Sequence, residues 1–152
     1  MKQALGVAMV AAATAGVGAF TLLGQEPAGQ RSVWEGVYSE AQAARGHAQY
    51  ERSCTNCHGA DLQGDAAQEV PPLVEESFLA RWSGRTVQSL FEKISQGMPA
   101  SNPGSLTAPV YLDIVAYILQ ANRFPSAQEE LGGGRWGLDR LIFARGPGGG
   151  KP

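Results

Sequence analysis

Along the chain, stretches in which apolar residues return at helical spacing alternate with stretches that have no period. The run 4–23 is uncharged and mostly apolar, rich in Ala and Gly, with one Lys before it and polar residues after it. It carries no amphipathic stripe for a core-packed helix, so 1–24 reads as an export signal, with small residues at 17–19 for cleavage. The run is also long enough to span a bilayer, which leaves an uncleaved anchor open. Pro27 and Gly29 mark 25–32 as a flexible lead.

Ser39 followed by Gln42 is a capping-box pattern, and it opens a helix through Glu40, Ala44 and Tyr50 towards Cys54. Gly46 interrupts that helix at a cost of about 1 kcal/mol relative to Ala, which points to another helix crossing closely there. Residues 59–72, with Gly64 and the pair Pro71-Pro72, read as a loop. Short helices are predicted over 75–80 and over 86–95, the second with Val87, Leu90, Phe91 and Ile94 on one face. After a loop at 97–105, Thr107 is placed to cap a last helix. In it Tyr111, Ile114, Val115 and Ile118 recur at three, four and seven, and Asp113 and Gln120 share a more polar side. That helix ends by Pro125.

No sustained two-residue alternation and no internal repeat occurs, so 33–126 is predicted to be one all-α domain of four to five short helices with long loops. Beyond it, 127–152 turns rich in Gly and reads as a loose tail. Trp136, Leu138, Leu141, Ile142 and Phe143 are more apolar than a spacer needs, which leaves docking of the tail open.

Composition narrows the function classes. A chain of 152 residues less its leading segment fits one small domain. Twelve Lys and Arg against 14 Asp and Glu give a formal charge of −2, so no basic field for nucleic acid exists. Two cysteines, Cys54 and Cys57, are too few and too close for a disulfide framework.

Those two cysteines stand in Cys54-Thr55-Asn56-Cys57-His58, the c-type haem attachment pattern. Each thiol can add across a vinyl group, and anchors one helical turn apart fix the macrocycle edge so that His58 presents a ring nitrogen to the iron. Three other readings compete. A thioredoxin-like redox pair expects an α/β chain. A zinc site would need His47 as its fourth ligand, and a plain disulfide leaves His58 without a role.

Opposite a proximal histidine, electron carriers place Met or His. Met1 and Met9 lie in the leading segment, which leaves Met98 as the candidate, in a loop where Gly97 permits close backbone approach and Pro99 adds stiffness. His47 and an open axial position are the alternatives.

At this point the chain resembles a class I cytochrome c over about residues 33–126. Gly46, Tyr50 and Cys54 at intervals of four are similar to the family's first helix, and Ile114-Val115-Ala116-Tyr117 to its last, where the two cross at Gly and an aromatic. The resemblance implies a small cytochrome c fold wrapped around one covalently attached haem c. It also implies that Pro72 offers the carbonyl partner of the His58 ring and that Trp82 forms a wall of the haem pocket. The phrases 36–42 and 116–122 resemble the cytochromes that accompany bacterial quinoprotein dehydrogenases.

The expectation is therefore a periplasmic one-electron carrier and not an enzyme, soluble or tethered through residues 4–23. Its partners would be redox proteins: a dehydrogenase, an oxidase or a cytochrome complex. A haem subunit held permanently in a dehydrogenase or oxidase complex is the first alternative, with the tail as its docking element. A gas sensor or peroxidase, which needs an exchangeable axial site, is the second.

Overall fold

The computed structural model describes residues 29–134 and 137–144. The leading segment, Trp136 and the last residues of the tail lie outside them. Five α-helices carry the fold: α1 (Glu40–Ser53), α2 (Thr55–His58), α3 (Glu75–Trp82), α4 (Val87–Gly97) and α5 (Ala108–Ala121). Two short strands, β1 (Arg31–Ser32) and β2 (Leu141–Ile142), pair in parallel and join the two ends of the described chain. The all-α expectation holds apart from this small sheet. No helix among the described residues is long and apolar enough to cross a membrane.

Local chemistry accounts for the helix starts. The Ser39 hydroxyl accepts the Gln42 N–H at 3.1 Å, and the Thr86 hydroxyl accepts the Ser89 N–H at 3.2 Å. Thr107 precedes α5 without such a bond, and Pro109 in the first turn serves there instead. The capping box at Ser39 is only half formed, because the Gln42 side chain is used elsewhere. It lies buried, donating to the Leu131 carbonyl at 3.1 Å and accepting the Leu131 N–H at 2.6 Å.

Helices α1 and α5 cross at Gly46, as its place in the helix predicts. A Cβ there would overlap the Asp113 carbonyl and stand 3.0 Å from the Tyr117 Cβ, so only glycine admits α5 this closely. Around the crossing, Arg45 grips Asp113 with two bonds of 3.0 Å and reaches Glu130 at 2.9 Å.

The tail is where the fold departs most from the expected looseness. Phe143 is fully buried, with its ring 5.5 Å from Phe78, 6.0 Å from Phe124 and 6.3 Å from Trp82. Its backbone is paired as well: Phe143 N–H donates to the Arg85 carbonyl at 3.0 Å, and Gly84 N–H donates to the Phe143 carbonyl at 2.8 Å. The Trp34 indole donates to the Ala144 carbonyl at 2.9 Å. Leu131 and Leu141 are buried too, so the segment through Ala144 completes the core. Apolar burial outweighs the entropy of its glycines here.

Candidate haem-binding site

The pentapeptide sits where α1 breaks into α2. Cys54 N–H still donates to the Tyr50 carbonyl at 2.8 Å, but Cys54 has φ −126° and ends the first helix. Its own carbonyl then starts the next turn, accepting the His58 N–H at 2.9 Å and the Cys57 N–H at 3.2 Å. The two cysteines and His58 are thus fixed within one short helical turn, and the turn is closed by Gly59 at φ 74°. Tyr50, buried on α1, donates its hydroxyl to the Gly59 carbonyl at 2.8 Å. The His58 carbonyl accepts the Gly64 N–H at 2.9 Å, which ties the following loop back to the motif.

Cys54 is half-buried and Cys57 exposed, and the two are not joined to each other. Burial, then the neighbouring Cys57, pushes the Cys54 thiol up to about 11. The zinc reading finds no support, because no cluster of three or more His, Cys, Asp or Glu among the described residues could hold a metal ion. His47 lies exposed on α1, stacked on Tyr117 at 4.6 Å and 3.7 Å from Glu51.

His58 is 8% exposed, and burial lowers its pKa, so the neutral ring is favoured. Its Nδ1 lies 3.3 Å from the Pro71 carbonyl. A carbonyl only accepts, so Nδ1 carries the proton and Nε2 keeps its lone pair. No buried side-chain N or O among the described residues lacks a hydrogen-bond partner. Nε2, which makes no hydrogen bond, is therefore not completely sealed in the core. A neutral imidazole with one nitrogen anchored and the other unengaged is the donor that iron requires.

The anchor corrects one expectation. The acceptor is Pro71, not Pro72; two adjacent prolines offer two carbonyls one residue apart, and the turn that brings Gly64 N–H to His58 settles which one faces the ring. Trp82 is buried at the end of α3 against Phe78 and Phe143, with the Arg85 guanidinium 5.7 Å over its ring.

Met98 is half-buried and follows the last residue of α4. Its N–H donates to the Ile94 carbonyl at 2.9 Å, and its carbonyl accepts the Tyr111 hydroxyl at 2.7 Å. A Cβ at Gly97 would meet no other protein atom within 4 Å.

Sequence reading missed Asn122. It is buried after α5, accepting the Glu75 N–H at 3.0 Å and donating to the Leu73 carbonyl and the Ile118 carbonyl, each at 2.8 Å. It thereby supplies the cap that Val74 cannot give α3. Most of its partners are remote in sequence, so no local signal announces it.

Residues 41–118, just over half of the chain, match the model of the family described as cytochrome c oxidase, cbb3-type, subunit III. The chain belongs to this family of class I c-type cytochromes. The cytochrome therefore binds one c-type haem covalently and serves haem-based electron transfer with redox partner proteins. Among solved structures it is similar to the sulfane dehydrogenase SoxCD from Paracoccus pantotrophus, at 18% identity and a TM-score of 0.45. That match covers 66% of the cytochrome, which spans 54% of the other chain. No curated protein matches it.

Proposed function

We propose that this chain is a periplasmic one-electron carrier whose haem is attached through Cys54 and Cys57 and whose iron is held between His58 and Met98. The observation that carries the proposal is the single helical turn holding both thiols and a buried imidazole whose Nδ1 is committed to Pro71 and whose Nε2 is unengaged. When bound, the haem supplies a reversible one-electron couple between ferrous and ferric iron.

The chain's own residues do the rest. Cys54 and Cys57 would hold the haem covalently, and His58 and Met98 would ligate its iron, leaving no site for substrate. Ligation by Met98 would give a higher potential than ligation by a second histidine. Trp82 would contribute a buried aromatic wall. The signal in 1–24 supports export, with retention as an anchor through residues 4–23 as the variant form.

Permanent attachment to a dehydrogenase through the tail gains no support, since the tail through Ala144 is occupied by internal packing. The likeness of 36–42 and 116–122 to cytochromes serving quinoprotein dehydrogenases favours a donor of that class.

Coexpression with the c-type maturation machinery tests the proposal. The expected product is coloured, keeps its haem stain on a denaturing gel, shows a Met-to-iron charge-transfer band when ferric and does not bind carbon monoxide. Replacing both Cys54 and Cys57 by Ala should abolish the stain. A colourless wild-type product overturns the proposal, and carbon monoxide binding overturns the closed coordination.

A further inference from the structure

We propose that Tyr111 is a positioning residue for Met98, a brace on α5 that fixes the backbone from which the thioether reaches the iron. The inference rests on the ligation of iron by Met98 proposed above and deepens it.

Met98 leaves α4 with extended backbone, φ −130° and ψ 152°, and both its polar backbone groups are engaged. The N–H belongs to the last turn of α4, through Ile94. The carbonyl belongs to α5, through the Tyr111 hydroxyl at 2.7 Å, the short end of the range for an O–H donor. Peptide planes on both sides of the Met98 Cα are thus tied to different helices, and the side chain starts from a fixed origin.

The same phenol oxygen also accepts the Leu106 N–H at 3.4 Å, so one buried hydroxyl receives both ends of the loop 98–106. Inside that loop the other described bond is a turn, Asn102 N–H to the Pro99 carbonyl at 2.9 Å, and residues 100–105 are exposed. Tyr111 is 2% exposed and its ring is core, which makes the hydroxyl a rigid post rather than a mobile surface group. Among the described residues, no other side chain makes a hydrogen bond to Met98.

A bond that holds a weak ligand in place acts on ligand exchange more than on folding. The test compares Tyr111→Phe with Tyr38→Phe in the full-length haem protein. Tyr38 is a suitable control because its buried hydroxyl donates to the Phe124 carbonyl, also at 2.7 Å, away from the loop. Both variants lose one hydroxyl and keep the ring. Cyanide is titrated into the ferric protein while the Met-to-iron charge-transfer band is followed, and amide hydrogen exchange is measured over 98–106.

Tyr111→Phe should weaken the band, raise cyanide affinity about tenfold and speed exchange across the loop, because the freed carbonyl no longer holds Met98 in register. Tyr38→Phe should do none of these while losing comparable thermal stability. If the wild type shows the band and the two variants behave alike, the positioning role is overturned while the ligation stands. A wild-type ferric spectrum without the band overturns both together.

Discussion

At the scale of single residues, the absence of one methyl group at Gly46 decides how near two helices can lie. Adding a Cβ would place carbon against the Asp113 carbonyl, which α5 cannot yield without moving Tyr117 and the paired Arg45. Gly46→Ala is therefore expected to cost about 3 kcal/mol, at the upper end for overpacking, despite the better helix propensity of Ala. Thermal unfolding of the haem protein measures it, and a loss below about 1 kcal/mol would mean that the crossing is slack. Gly97→Ala is the contrasting case: no protein atom stands within reach of the added methyl, so unfolding should shift by no more than about 1 kcal/mol. His58 belongs to the same scale. The pentapeptide announces the histidine, but which ring nitrogen carries the proton follows from Pro71, a residue whose approach depends on the folded course of the intervening loop.

At the scale of elements, what could be read in advance divides by range. The starts of α1 and α4 follow from Ser39 and Thr86 and the course of α5 from apolar spacing, all local signals, whereas α3 runs past the predicted Ala80 to Trp82. The role of Gln42 does not follow from local signals. By spacing it is the second half of a capping box, yet its amide pairs with both backbone groups of Leu131, 89 residues away, as a strand would. A local pattern was outcompeted by a buried partner that needed both a donor and an acceptor. Asn122 is a second instance, giving α3 its N-terminal acceptor from the far end of α5. Removing such a clip leaves buried backbone groups unpaired, so Gln42→Leu should cost about 2–4 kcal/mol, two orphaned groups being more than a typical single loss. Arg45→Ala should cost under about 1 kcal/mol and lose most of that in added salt, because Arg45 and Glu130 stay about half exposed, at 49% and 46%. Denaturant unfolding at low and high salt separates the two; a Gln42→Leu variant as stable as Arg45→Ala would remove the clip from the list of fold determinants.

Over the whole molecule, the composition of the tail hid its packing, since glycine content signals looseness while a few apolar residues decide burial. Leu131, Leu141 and Phe143 close a core that already holds Phe78, Trp82 and Phe124 with Trp34 packed against it, and β2 ties the two ends of the described chain together. Phe143→Ala should therefore cost about 3–5 kcal/mol, the range for emptying a buried aromatic site, and deletion of 128–152 should prevent a stable haem protein from accumulating. If the deletion kept native stability, the tail would be an appendage after all.

The surface beside Met98 bears on how a partner meets the carrier. Residues 94–112 contain no charge, and 100–105 and 107–109 are exposed, while the charged groups of the α1–α5 crossing are largely neutralised in pairs. A partner docking over the Met98 loop would meet polar and apolar contacts without a strong field, so steering by long-range charge is small. The second-order rate of electron exchange with a soluble redox partner should change less than about threefold between 20 and 200 mM salt. Stopped-flow reduction across that range reads it directly. A tenfold fall would place the docking surface elsewhere, on a charged face such as the groove lined by Asp61, Glu75, Glu76 and Arg123, where attraction to a partner would be screened as salt rises.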